Sequence, residues 1–279
     1  MKVISCDIET YSSADLSKSG VYHYAEAQDF KVLLFGYAVD NGPVKVVDLA
    51  HGERIPEIVI NALTDPTIVK WAHNAVFERI CLSRMLGLSQ GSYLDPAQWR
   101  CSMVWAATLG LPQSLEDVGA VLDLQEQKLT EGKSLIRKFC IQGKTARSDD
   151  TTWMDFIDYN RRDVEVEIAI QEMLSAFPVP ESVWEQYWID QKINDRGVLT
   201  DTEFVRQALV MDALSRAKLT AEMQSLTNVN NPNSITQLKK WLSYNGVEVQ
   251  SLDKKAIGDL LQTVPENLHR PLQLHMQLH

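Results

Sequence analysis

Two acids stand two residues apart near the amino terminus, in Asp7-Ile8-Glu9-Thr10. The stretch Lys2–Glu9 is β-prone, and alternate side chains of a strand share a face, so the two carboxylates stand together at the strand's end. Like charges that close repel unless a cation lies between them. Their oxygens suit Mg²⁺ or Mn²⁺ rather than zinc. Two further patterns follow along the chain. In Ala72-His73-Asn74-Ala75-Val76-Phe77-Glu78 a strand hands over to a helix, where Asn74 and Glu78, four apart, would share a face. In Tyr159-Asn160-Arg161-Arg162-Asp163 the phenol and the last acid are again four apart, on one stripe of a helix. A carboxylate and a phenol so placed could hold a metal and orient a water. Each pattern singly reads as a solvated pair or an ordinary helix surface; the ordered set of three is what points to chemistry.

The elements that must position these residues are legible around them. Besides the first strand, Phe30–Val39 reads as a buried strand, Asp40-Asn41-Gly42 as a turn, Pro43–Leu49 as an antiparallel return, and Thr67–Trp71 as a short strand. Apolar residues then recur at three- and four-residue spacing through Val76–Leu86, Met103–Leu109, Leu115–Leu122 and Leu135–Phe139, which predicts helices. The clearest helix is Thr152–Met173, with Thr152 as its expected N-cap and Trp153, Phe156, Ile157, Val164 and Ile168 as its apolar stripe. Pro178 and Pro180 end it and suggest a boundary. Beyond them the chain reads as helical, with capping boxes at Thr200–Glu203 and Ser234–Gln237. The expectation is an α/β domain over 1–176 and a smaller helical region over 177–279.

The totals set limits. With 279 residues, 45% hydrophobic and 23% charged, the chain reads as an ordinary globular protein. It has no run approaching the ~18 apolar residues of a membrane span and no secretory signal, which predicts a cytoplasmic protein without a membrane partner. Cys6, Cys81, Cys101 and Cys140 are scattered and read as reduced thiols rather than disulfides or a zinc site. The net charge of −10 argues against nonspecific coating of nucleic acid. Locally, however, Lys128, Lys133, Arg137, Lys138, Lys144 and Arg147 face a single acid, Glu131, and form either a solvated face or a phosphate-contacting strip. His269, His275 and His279 read as surface positions rather than zinc ligands.

Taken in order, Asp7 and Glu9, then Asn74-x-x-Phe77-Glu78, then Tyr159-x-x-x-Asp163 resemble the three motifs of the DEDD exonuclease superfamily in its tyrosine-containing branch. The histidine branch would carry His five residues before the last acid, where this chain has Asp158. The resemblance covers residues 1 to about 176 and implies a ribonuclease H-like α/β fold, a mixed sheet flanked by helices. Farther on, Trp188-Ile189-Asp190-x-x-Ile193-Asn194-x-Arg196-Gly197-Val198-x-x-Asp201 is similar to the segment joining the proofreading and polymerase domains in family A DNA polymerases. Asn231–Leu238 and Leu252-Asp253-Lys254-Lys255 resemble the entry to their thumb region. The chain looks like the N-terminal half of a DNA polymerase I relative of phages and prophages. The palm and fingers motifs of that family have no counterpart here, so no polymerase activity is expected of this chain.

The resemblance implies a 3′→5′ exonuclease that releases nucleoside 5′-monophosphates with the aid of two divalent ions, Mg²⁺ or Mn²⁺. One ion would be held by Asp7, Glu9 and Asp163, the other by Asp7 with water-mediated help from Glu78, while Tyr159 aims the attacking water. Thr10 and Asn74 would contact the terminal nucleotide; Lys128, Lys133 and Arg137 are the basic residues nearest in sequence to serve phosphates. The implied partners are single-stranded DNA or DNA 3′ ends, and a polymerase domain outside this chain. Glu78 departs from the polymerase pattern, which has Asp, and a misplacement of ~1 Å can cost ~100-fold in rate; its outer-sphere role makes reduced or retained activity the expectation. The alternatives are an exoribonuclease of the same superfamily and a disabled fold kept for DNA binding or architecture.

Overall fold

The computed structural model describes residues 1–124, 132–148 and 150–278. In chain order the elements are β1 (Val3–Tyr11), α1 (Leu16–Glu26), β2 (Lys31–Val39), β3 (Lys45–Asp48), α2 (Glu57–Thr64), β4 (Val69–Ala72), α3 (Val76–Met85), β5 (Trp99–Cys101), α4 (Ser102–Thr108), α5 (Leu115–Val121), α6 (Gly132–Ile136), α7 (Thr151–Leu174) and α8 (Glu181–Arg196). The helices α9 (Thr202–Thr227), α10 (Ile235–Tyr244), α11 (Lys254–Leu260) and α12 (His269–Leu278) follow. The five strands form one sheet in the order β3-β2-β1-β4-β5. β1 runs antiparallel to β2 and parallel to β4, so the sheet is mixed, as in the ribonuclease H-like class.

The two faces of β1 have different company. Ile4, Cys6 and Ile8 point into the main apolar core with Tyr24 of α1, Val59 and Leu63 of α2, and Ile80 and Cys81 of α3. Ser5, Asp7 and Glu9 take the other face, opposite Ala38, Gly36 and Leu34 of β2. The small residues Gly36 and Ala38 leave room there for α7, which crosses β1, β2 and β3. The register shifts just after Glu9, a bulge of the kind that re-aims side chains beside active sites.

Helix α7 begins earlier than expected. Its N-cap is Asp150, whose Oδ1 accepts from the Thr152 amide at 2.9 Å, and Thr152 lies inside the first turn. The start of the helix is tied to the sheet edge by Trp153, whose indole donates to Asp48 Oδ2 at 2.7 Å. The buried stripe also differs from the apolar one read in the sequence. Ile157 and Ile168 are only half-buried, while Asn160, Asp163, Glu167 and Gln171 are buried along with Phe156, and with Val166 and Ile170, which pack on α4 and α5. This stripe has a polar seam.

The first compact unit runs over Met1–Gly197, past the prolines expected to mark a boundary at 176. Helix α8 belongs to it because the fully buried Arg79 of α3 is paired with Asp195 of α8 at 2.7 and 3.0 Å and with Gln191 Oε1 at 2.7 Å. The second unit, Val198–His279, has its own core of Met223, Leu238, Leu242, Ile257, Leu272 and Leu274. His275, expected at the surface, is buried in α12, because the helix turns the face that carries it with Leu272, Leu274 and Leu278 inward. Among the described residues no helix is long and apolar enough to cross a membrane.

Candidate active site

The polar face of β1 and the polar seam of α7 meet. Asp7, Glu9 and Asp163 each offer a carboxylate oxygen, and these oxygens all lie within 4.8 Å of one another. Two acids come from one strand and the third from a helix packed across it, so the cluster exists only once sheet and helix have docked. An all-carboxylate donor set, with Glu9 and Asp163 buried, fits a hard divalent cation such as Mg²⁺ or Mn²⁺. A fourth acid is coupled by charge to Asp7 and Glu9. Glu78, near the start of α3, is buried, and its Oε2 has no hydrogen-bond partner among the described residues. Burial, and then the charge of Asp7, hold its carboxyl well above the usual range, with Glu167 and Glu9 adding to the push. Such mutual repulsion among buried acids is what a bound cation relieves.

Tyr159 lies one turn before Asp163 and is buried, its ring stacked on Phe156 with centroids 6.5 Å apart. Burial and the neighbouring Asp163, Glu9 and Asp7 charges push its phenol far upward, so it stays protonated at any working pH. Its ring is backed by Gly132 of α6; a Cβ there would fall 2.1 Å from Tyr159 Cε2. The helix then widens into a π turn over Arg137–Ile141, a feature frequent at functional sites. That turn brings the Cys140 thiol to within 3.3 Å of Glu9 Oε2, to which it donates. Burial and Glu9 push this thiol upward, so it stands as a protonated donor and not as a nucleophile.

Beside Glu9 opens a cleft of about 750 Å³, walled by Thr10, Leu16, Phe77, Ile136, Cys140 and Ile141 among others. Thr10 is buried there, its hydroxyl 2.9 Å from that of Tyr24. The remaining expected residues fare differently. Asn74 is exposed and precedes the helix, with a left-handed φ of +66°, so it does not share a helical face with Glu78. The strand-to-helix junction needs a sharp turn, and Asn tolerates that backbone well. Lys133 and Arg137 are exposed one turn apart, and Lys128 lies outside the described residues. Asn160, Glu167 and Gln171 were missed in the sequence; the available signal was their helical spacing, three residues before Asp163, four after it and eight after it, obscured by the apolar residues between them.

No protein-family model matches the chain. The DNA polymerase of Bacillus phage SP02 is 44% identical over a 290-residue alignment that takes in the whole of this chain. The resemblance to DNA polymerases holds from end to end. The chain spans 44% of that phage polymerase's length. Among solved structures, the POL domain of Pol1 from M. smegmatis, in complex with DNA primer-template and dNTP, matches 99% of the chain and 44% of its own length. Its TM-score is 0.50 at 13% identity, a likeness of fold. Escherichia coli RNase D, an exoribonuclease, matches 100% of the chain and 70% of its own length, with a TM-score of 0.45 at 12% identity.

Proposed function

We propose that this chain is a metal-dependent 3′→5′ exonuclease acting on DNA ends, the proofreading part of a DNA polymerase I-like protein. The observation that carries the reading is the convergence of Asp7, Glu9 and Asp163 within 4.8 Å on the helix and strand that also bury Tyr159. Divalent ions held there would polarise the scissile phosphate and lower the pKa of the attacking water. The protein's own part is placement. Asp7, Glu9 and Asp163 hold the charge, and Glu78 supports them. Tyr159 keeps its proton and so can donate to a water or phosphate oxygen and fix its direction. The apolar wall of Leu16, Phe77, Ile136 and Ile141 suits a flat base, with Thr10 at its polar end. Lys133 and Arg137 stand exposed for phosphates farther along the strand. The phage DNA polymerase relative favours DNA over RNA as the substrate.

The test is digestion of a 5′-labelled DNA oligonucleotide, and of an RNA of equal sequence, with Mg²⁺ or Mn²⁺. A ladder shrinking from the 3′ end, faster on DNA and lost in Asp7→Ala, is the expected result. Glu78→Asp should keep the ladder and Glu78→Ala slow it by up to ~100-fold. Faster shortening of the RNA would assign a ribonuclease instead. Absence of shortening despite binding of single strands would leave a DNA-binding or architectural module.

A further inference from the structure

Asn160 is fully buried in α7, and its Nδ2 donates to Asp7 Oδ2 at 2.7 Å. Asp7 is one of the two acids that β1 contributes to the carboxylate cluster, and directly across from it on β2 stands Gly36. A Cβ at Gly36 would fall 2.6 Å from Asn160 Oδ1 and 3.1 Å from Val164 Cγ2. The backbone of Gly36 is not in the left-handed region, so the turn-making freedom of glycine is unused here. What the position needs is the missing side chain, because Asn160 occupies that space. A glycine inside a strand costs roughly 0.5–1 kcal/mol relative to alanine, so the vacancy is a feature the fold carries for its neighbour.

We infer that Asn160 is a positioning residue for the metal site: it clamps one oxygen of Asp7 so that the other faces the cation. This rests on the metal-dependent reading above. The amide is well chosen for the task. It holds a carboxylate by a short hydrogen bond without bringing a positive charge that would compete with a cation, as Lys or Arg would. Its orientation follows from its partner, since the reverse placement would set amide oxygen against carboxylate oxygen. A packing role does not explain it. Asn160 Oδ1 is buried without a hydrogen-bond partner among the described residues, and a buried, half-satisfied amide costs stability that an apolar side chain would not. The neighbours in the same seam follow a related pattern, with Gln171 Nε2 donating to Ser5 Oγ at 3.0 Å two residues down the same face of β1.

The experiment measures Mn²⁺ binding to the full chain by calorimetry and by electron paramagnetic resonance. It compares the wild type with Asn160→Ala, Gly36→Ala and the double variant. Loss of an outer-shell partner of a ligating carboxylate lowers metal affinity 10–100-fold in general. Asn160→Ala should therefore bind Mn²⁺ about tenfold more weakly while keeping its circular dichroism. Its digestion of DNA should recover toward the wild-type rate as Mn²⁺ is raised, a rescue that a merely structural defect would not show. Gly36→Ala should weaken Mn²⁺ binding in the same way, and the double variant should be no weaker than the worse single one, because both act through one hydrogen bond. Unchanged Mn²⁺ affinity in Asn160→Ala, or effects of the two substitutions that simply add, would overturn the inference. If Gly36→Ala does not fold, the affinity of Asn160→Ala decides the matter. A wild type that binds no Mn²⁺ would remove the metal reading, and this inference with it.

Discussion

Glu167 sits one turn beyond Asp163 in α7, 2% exposed, and substitution by Gln should change how stability depends on pH. Burial pushes its carboxyl from the ordinary 4.5 up to about 8, and the charge of Asp7 adds to the push. Gln171 and Ser102 pull the other way, but their hydrogen bonds go to Ser5 and His73, and neither Glu167 oxygen has a partner among the described residues. Between those two pH values the folded chain keeps a proton that the unfolded chain has released. Stability therefore falls as pH rises from about 4.5 to about 8, and levels off above. At ~1.36 kcal/mol per pH unit the gap amounts to about 5 kcal/mol for a fully buried group. Glu167→Gln removes this term and also relieves part of the repulsion on Glu78. Urea unfolding of both proteins at a series of pH values from 5 to 9, in the presence of a chelator, reads it directly. The free-energy difference between variant and wild type should grow in the variant's favour by several kcal/mol across that range, while contributions from groups not coupled to Glu167 largely cancel. Parallel curves, with a difference that does not change with pH, would refute the reasoning and mean that Glu167 is already ionised in the folded chain.

Two further outcomes follow from the packing. Asp195→Ala leaves the fully buried Arg79 guanidinium without its bidentate partner, which should cost about 3–5 kcal/mol. In a unit of this size that lowers the unfolding temperature by about 6–20 °C in a circular-dichroism melt, and pairing it with Arg79→Met should restore most of the loss. Gly132→Ala places a methyl 2.1 Å from Tyr159 Cε2, so the ring must move. Digestion of a labelled oligonucleotide should slow by about 100-fold, whereas calorimetric Mn²⁺ affinity, which depends on the carboxylates, should stay near the wild-type value.

The candidate site residues were legible because they declare themselves by local spacing. Asp7 and Glu9 alternate on a strand, Tyr159 and Asp163 lie one turn apart on a helix, and those periods belong to the backbone whatever else the chain does. Helical periodicity and capping gave the long helix α7, and β-prone composition with turn signals gave four of the five strands, to within a few residues. The short β5, at Trp99–Cys101, has too few residues to show alternation and owes its existence to pairing with β4. The N-cap moved from Thr152 to Asp150 because both residues can cap, and the anchoring of Trp153 on Asp48 is a long-range contact.

What only the tertiary structure decided is which local patterns share a space. Asp163 joins Asp7 and Glu9 because α7 lies across β1, over the small residues Gly36 and Ala38, and no spacing within either element reveals that crossing. Asn160, Glu167 and Gln171 stood outside the apolar stripe read for that helix, and it is the docked fold that makes them a buried seam. Asn74 and Glu78 parted company for the converse reason: four residues apart in sequence, one stands in a left-handed turn at the surface and the other inside the fold. Sequence fixes the period of an element, whereas burial and charge coupling depend on what the other elements bring within a few ångströms. The nature of this candidate site, a half-buried Asp7 crowded by three buried acids and a buried tyrosine, is a property of that assembly.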